Sequence, residues 1–126
     1  MDYEAARQRL RSDEWRTRFG VRAGQLGRNP VEELTWLKLQ AQRWSTLPPD
    51  FFQVWLAVAQ EVRRLADFHE YLALQELHVN RGKSWAEVAR TTGSGSTRQA
   101  LQQRWGRLER TFTSESPGRG TERPAT

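Results

Sequence analysis

The sequence contains no cysteine and no long hydrophobic run. Without cysteine the chain has no disulfide, thiolate metal ligand or thiol nucleophile, which excludes a secreted fold held together by disulfides. No stretch approaches the roughly 18 consecutive apolar residues of a membrane span, and the opening MDYEAARQRL lacks the apolar segment of a signal peptide. We therefore expect an intracellular, cytoplasmic protein that makes no use of a membrane.

Lysine is also scarce, because Lys38 and Lys83 are the only two among 20 basic residues, against 15 acidic ones. The formal net charge is +5, and almost all of the positive charge is arginine. Arginine pairs with phosphates and base edges through a planar fork of donors, which lysine lacks. This composition favours a polyanionic partner, although a basic protein without such a partner has the same charge balance.

Catalytic and metal-binding patterns are missing as well. The two histidines are His69 and His78, and HEYLA at 69–73 lacks the second histidine of a zinc-protease motif because Ala73 stands there. The adjacent Glu32 and Glu33 lie in the first turn of a predicted helix, where negative charge complements the helix dipole. We therefore expect no enzyme, no metal site and no cofactor.

The N-terminal half has helical periodicity interrupted by one connector. Apolar residues on one face predict a helix from Asp2 to about Phe19, and the glycines of the next ten residues indicate a loop. Asn29 and Pro30 form a strong helix start, with Glu32 able to reach back to the cap. The stripe of that helix consists of Leu34, Leu37, Ala41 and Trp44, and STLPPD ends it.

The most apolar stretch follows Pro49 and has a heptad-like spacing. Its residues are Phe51, Trp55, Val58, Val62 and Leu65. They fit either a dimer seam or the central helix of a small helical core, and the two can coexist. The helical pattern continues from Phe68 to Val79, and a break between Leu65 and Phe68 stays open.

The stretch TTGSGSTRQALQQRW begins like a linker and ends like a helix. Ser84 and Glu87 form a capping box, and Ser96 and Gln99 offer the same geometry, so two helices flank the glycines too closely for a flexible tether. GKS at 82–84 resembles the end of a phosphate-binding loop, but that motif needs glycine where Leu77 stands. The segment is better interpreted as the turn between two short helices, with Gly93 ending the first.

The second of these helices is amphipathic. Leu101, Trp105, Leu108 and Phe112 form its apolar stripe, while Gln99, Gln103, Arg107 and Arg110 point away. In the DNA major groove arginine pairs with guanine and glutamine with adenine. A helix face that is merely solvated usually mixes glutamate with lysine, and here Glu109 is the one acid between Glu87 and Glu115. DNA contact is therefore the favoured interpretation.

The segment NRGKSWAEVARTTGSGSTRQALQQRWGRLE resembles small bacterial helix-turn-helix proteins with the pattern G-x-S-W-A-E-[IV]-A/G-x-x-L-G-V-S-R-Q-A. The resemblance covers roughly the last third of the ordered chain and takes about Asp67 to Val79 as the first helix. It implies that Ser84 caps the second helix and that Trp85, Val88 and Ala89 pack inward. The chain departs from the pattern at 92–97, where the turn is roughly two residues longer and lacks the buried Leu and Val.

The resemblance also implies which side chains touch DNA. Those expected at base edges are Arg98, Gln99, Gln102 and Gln103. Those that it places at phosphates are Thr97, Arg104 and Arg107. Apart from the resemblance, we also expect phosphate contacts from Lys83, Ser84 and Arg110.

Together these observations predict an all-α protein, a small helical bundle with a C-terminal helix-turn-helix. Its parts are a helical scaffold at 1–67 for dimerisation or partner binding, the DNA-binding unit at 68–112 and a disordered tail at 113–126. The expected function is sequence-specific binding of double-stranded DNA by a dimeric, nucleoid-associated transcriptional regulator, with half-sites about one helical turn apart.

Two alternatives remain open. One is an adaptor that binds a protein such as the transcription machinery through its N-terminal aromatic residues, since Trp15, Trp36, Trp44 and Trp55 are typical of interface hot spots. The other is a nucleoid or plasmid-maintenance protein that binds DNA without sequence preference.

Overall fold

The computed structural model describes residues 1–21, 25–93 and 95–115. All regular structure in these ranges is helical, as the sequence predicts, and no strand occurs in them. The helices are α1 (Tyr3–Leu10), α2 (Asp13–Phe19), α3 (Pro30–Arg43), α4 (Phe51–Leu74), α5 (Trp85–Thr92) and α6 (Arg98–Glu115), with a π-helical segment at Gln75–Asn80 after α4. None of the helices in the described ranges combines the length and apolar character needed to cross a membrane.

The chain divides into two compact units, Met1–Leu65 and the part that begins at Ala66. Helix α4 contributes its first part to unit 1 and its last part to unit 2. No break occurs between Leu65 and Phe68, which settles the question that the periodicity left open.

The prediction of one helix from Asp2 to about Phe19 is wrong in one respect, because α1 and α2 are separate helices. Ser12 lies between them with an extended backbone, and its hydroxyl accepts a hydrogen bond from the amide of Trp15 at 3.3 Å. A serine that caps the next helix competes with helix continuation. The apolar residues still converge as predicted, since Ala6, Leu10, Trp15 and Phe19 are all buried.

The core of unit 1 is rich in aromatic rings. Trp15 stacks on Phe51 with ring centroids 5.6 Å apart, and Phe19 meets Trp36 edge to face at 5.3 Å. Such offset and edge-to-face pairs match the negative faces of aromatic rings with their positive edges. The rest of this core consists of Ala6, Leu10, Leu26, Leu37, Val54, Ala57 and Val58.

Helix α3 begins at Pro30 as predicted, and the Asn29 side chain accepts from the Glu32 amide at 3.0 Å. The Glu32 carboxylate accepts from the amide of Arg28 at 2.9 Å, one residue before the cap that it was expected to reach. Most of the predicted apolar stripe packs inward, because Leu37 is buried and Leu34 and Ala41 pack against the core. The buried face is wider than predicted, since it also includes Glu33, Trp36 and Gln40, whereas Trp44 is 39% exposed.

Glu33, which the predicted stripe did not include, is buried together with its polar partners. Tyr3 Oη donates to Glu33 Oε1 at 2.6 Å, and Arg11 Nη1 donates to Glu33 Oε2 at 2.6 Å. Arg11 Nη2 also donates to the carbonyl oxygen of Gly27 at 3.2 Å. A buried charge is tolerated when it is paired and hydrogen-bonded, so these contacts hold α1, α3 and the loop before α3 together.

The residues of the predicted dimer seam differ in how deeply they are buried. Phe51 and Val58 are fully buried in the core of unit 1, so they cannot form a surface for a second copy. Trp55 is partly buried against the same core, and Val62 and Leu65 are half-buried. For Phe51 and Val58, therefore, the core interpretation is the correct one.

In the C-terminal region, the tail predicted at 113–126 starts too early, because α6 continues to Glu115. The prediction of disorder at 116–126 lies outside the described residues. So do residues 22–24 of the predicted connector and Ser94 in the turn.

Candidate nucleic-acid interface

Helix α5 starts at the capping box that the sequence predicts. The hydroxyl of Ser84 accepts from the amide of Glu87 at 3.2 Å, and the amide of Ser84 donates to Glu87 Oε1 at the same distance. These hydrogen bonds lower the pKa of the Glu87 carboxyl, the bond from the Ser84 backbone being the largest cause. The cap fixes where α5 begins and therefore which of its side chains face inward.

A short connection joins α5 to α6. Gly93 ends α5 with φ at 59°, a left-handed conformation that glycine adopts without steric cost, and Gly95 has φ at 77°. Thr97 caps α6, since its Oγ1 accepts from the amide of Ala100 at 3.1 Å. The sequence placed this cap one residue earlier, at Ser96, because both residues carry a suitable hydroxyl.

Unit 2 has its own hydrophobic core, which orients α6. Trp85 and Val88 of α5 are buried together with Leu101, Leu108 and Phe112 of α6 and Leu74 at the end of α4. Trp105 is partly buried and stacks on Tyr71 with centroids 5.1 Å apart. The apolar stripe predicted for α6 is therefore the face that packs inward.

The opposite side of α6 is exposed. We call Gln99, Gln103, Arg107 and Arg110 the α6 outer face, and every one of these residues is exposed. Arg98 and Gln102, also expected at base edges, are exposed too. All four residues expected at base edges thus lie on solvent-accessible parts of one helix, within its first two turns.

Several predicted phosphate contacts already have partners within the protein. Lys83 Nζ lies 3.8 Å from Glu87 Oε2, and Ser84 and Thr97 use their hydroxyls as helix caps. These contacts are at the surface, and a phosphate could compete for Lys83. The Thr97 hydroxyl only accepts in its cap, so its proton can still be donated to a phosphate, whereas the Ser84 hydroxyl also donates to Glu87 Oε1 at 3.1 Å.

Arg104 is the most strongly engaged of these residues. Its guanidinium forms a two-pronged ion pair with the carboxylate of Glu70 and lies 3.4 Å from Asp67 Oδ1. The hydrogen bond with Glu70 is the largest cause of the raised pKa of Arg104. Both acids come from α4, more than thirty residues away in sequence, so this pairing was not predicted. The sequence signal that could have indicated it is that Asp67 and Glu70 lie on the same face of a helix.

The other arginines of α6 differ from Arg104 in this respect, and they are Arg98, Arg107 and Arg110. None of the three forms an ion pair with any residue in the described part of the chain. All are exposed, so their positive charge is directed into solvent. The uncompensated cations of α6 thus lie at its first residue and along its outer face.

A cleft of about 290 Å³ runs beside the first half of α6 and is lined by Ser96, Ala100, Leu101, Gln103, Arg104 and Arg107. Its lining combines polar and cationic side chains with the buried Leu101. Within the described ranges, no group of three or more acidic or histidine side chains could hold a metal ion.

The tryptophans that suggest an adaptor are largely structural. Trp15 and Trp36 are buried in the core of unit 1, while Trp55 is partly buried and Trp44 is 39% exposed. Two of the four are therefore unavailable to a partner protein. Core packing accounts for them without a protein interface.

Comparisons of the chain with protein-family models, with curated proteins and with solved structures found no match.

Proposed function

We propose that unit 2 binds double-stranded DNA, with α5 and α6 acting as a helix-turn-helix and α6 lying in the major groove. The observation that carries this proposal is the α6 outer face, which combines exposed amides with arginines that have no acidic partner in the described chain. The major groove admits one α-helix and presents base edges to its side chains.

The charge distribution supports the proposal. Acids neutralise Lys83 and Arg104 within the unit but leave Arg98, Arg107 and Arg110 unpaired. Uncompensated cations along one helix attract the DNA backbone and steer association.

The side-chain chemistry divides α6 into two parts. Gln99, Gln102 and Gln103 in its first half can each donate and accept at an adenine edge, and Arg98 can pair with guanine. Arg107 and Arg110 follow one to three turns later, where a helix leaving the groove meets phosphates. Base reading by the first half and backbone contact by the second half together give a sequence-specific, intracellular DNA-binding protein that regulates transcription.

Salt-dependent binding tests the electrostatic part. We expect fluorescence anisotropy with a labelled duplex to show an affinity that falls steeply with salt, and Arg107→Ala to lower the slope of log K against log salt by about 1, the effect of losing one phosphate contact. The matched control is Lys38→Ala, which removes one exposed charge from α3. Equal slopes in the two variants would contradict the assignment of α6.

Selection from a random duplex pool tests base reading. The wild type should enrich a defined sequence, and Gln102→Ala should relax the preference at one position of that sequence while leaving the salt slope unchanged, because an uncharged side chain releases no counterions. Binding without enrichment would favour a nucleoid protein that lacks sequence preference.

A further inference from the structure

Helix α4 buries one side in the core of unit 1 and exposes apolar residues on the other. Phe51, Val54 and Val58 are fully buried, yet Phe52 is 57% exposed and Leu56 is 63% exposed. These two lie one helical turn apart. Single exposed apolar residues are ordinary, but these two adjoin each other on one face of the helix. We call Phe52, Leu56, Ala59 and Arg63 the α4 outer face.

One end of this face is aromatic and fixed in place. The ring of Phe52 stacks with Trp55 at 6.0 Å and meets the buried ring of Phe51 edge to face at 5.6 Å. Because Phe51 belongs to the core and Trp55 packs against it, the exposed ring of Phe52 rests on rings that are already held in place. A rigid aromatic pair loses little entropy on binding and is typical of an interface hot spot.

The other end of the face is cationic. Arg63 lies eleven residues after Phe52, a distance of about 16 Å along the helix that returns to the same side of it. Arg63 is exposed and forms no ion pair or hydrogen bond with the residues that the structure describes, whereas its neighbour Arg64 pairs with Glu61 at 2.6 Å. An arginine without a carboxylate partner can stack on an aromatic ring.

We propose that a second copy of the chain covers the α4 outer face, with the two α4 helices packed antiparallel across a two-fold axis. Arg63 of each copy then lies over Phe52 and Trp55 of the other, and Leu56 packs against Ala59 of the other. The small side chain of Ala59 allows the helices to approach closely. The proposal concerns unit 1 and does not depend on DNA binding.

The composition of the face favours a second copy over another protein. A different partner would have to supply both a cation for the aromatic pair and an aromatic group for Arg63, but a second copy supplies both by symmetry. Parallel packing would bring the two Arg63 side chains together, and their positive charges would repel each other. An isologous antiparallel contact avoids this and closes at two copies.

Sedimentation equilibrium on the full chain tests the association. We expect the wild type to be dimeric, and Leu56→Glu and Arg63→Glu to raise the dimer dissociation constant at least about 30-fold, as expected for losing a hot-spot contact. The matched control is Leu39→Glu, which changes another half-exposed leucine, on α3. Circular dichroism on each variant confirms that the fold is retained.

A wild type that stays monomeric at all concentrations would overturn the proposal and leave the face for a different protein. Equal weakening by Leu39→Glu and Leu56→Glu would also overturn it, because the contact would then not be specific to α4. Neither outcome bears on DNA binding by unit 2, which is measured separately.

The absence of native cysteine allows a test of orientation. Gln53 and Gln60 are exposed and flank the same side of the face, so in the antiparallel pair Gln53 of one copy lies near Gln60 of the other. Mixing Gln53→Cys with Gln60→Cys should give a disulfide-linked dimer in much higher yield than Gln53→Cys alone. Comparable yields would contradict antiparallel packing.

Discussion

At the scale of single residues, the buried carboxylate of Glu33 joins segments of unit 1 that are far apart in sequence. It is 1% exposed and accepts hydrogen bonds from side chains that lie 22 and 30 residues away in sequence. Breaking such a pair costs more than the pair itself contributes, because a buried charge is left without a partner. The network therefore specifies how α1 packs on α3.

Tyr3 makes this network sensitive to alkaline pH. Burial, followed by the hydrogen bond to Glu33, raises the pKa of Tyr3 to about 12 from a usual value of 10.0. Because the folded state holds the proton more tightly, the stabilisation is complete below pH 10 and is lost as the pH rises from about 10 to 12. Tyr3→Phe should make the fall in melting temperature over this interval shallower than in the wild type. Parallel curves for the two proteins would show that Tyr3 ionises freely.

Arg104 and Arg107 should behave differently despite being three residues apart. Arg104→Ala removes the ion pair with Glu70 and should destabilise the protein by about 1 kcal/mol in urea unfolding, since the pair is two-pronged but partly exposed. It should leave the salt slope of DNA binding unchanged, whereas Arg107→Ala lowers it. A lower slope for Arg104→Ala would mean that Arg104 leaves Glu70 to contact phosphate, as the sequence suggests.

At the scale of helices, the local signals predict most of the boundaries. Some helix ends are fixed by contacts between residues close in sequence, so they can be recognised from the sequence alone. Examples are the ends at Asn29, Ser84 and Gly93. The break at Ser12 is equally local but is hidden in a charged stretch whose apolar spacing suits one long helix. The sequence could not show that Glu33 of α3 is buried, because its burial depends on Tyr3 in α1 and on Arg11 directly after that helix.

The same reasoning applies to the candidate site. The apolar stripe of α6 follows from periodicity, so the exposed side of the helix was predictable. The pairing of Arg104 was not, because it joins residues 34 apart that only the tertiary fold brings together.

Replacing either of two glycines in unit 2 with alanine should change the free energy of unfolding, in opposite directions at the two positions. Gly93→Ala should destabilise by about 1 kcal/mol, because φ at 59° is unfavourable for a residue with a Cβ. Gly106 lies inside α6, where a Cβ would meet only the flexible end of Arg110 at 3.4 Å, so Gly106→Ala should stabilise by about 0.5–1 kcal/mol. Urea unfolding of both variants checks the two signs; loss of stability in both would mean that α6 does not tolerate a side chain at 106.

At the scale of the whole molecule, the two proposals combine into one expectation about DNA. A two-fold dimer presents two copies of unit 2, so the wild type should select inverted repeats. Leu56→Glu, which separates the copies but leaves α6 unchanged, should select single half-sites with lower affinity. Inverted repeats selected equally well by Leu56→Glu would show that the copies associate elsewhere.

The π-helical segment at Gln75–Asn80 gives the chain a place to absorb changes in length. Its hydrogen bonds span five residues, one more than those of an α-helix, as in the bond from the Arg81 amide to the Glu76 carbonyl. Deleting one residue within it would leave an ordinary α-helical turn, whereas a deletion earlier in α4 would rotate every following side chain by about 100°. Natural single-residue gains and losses in this helix should therefore accumulate between 75 and 80.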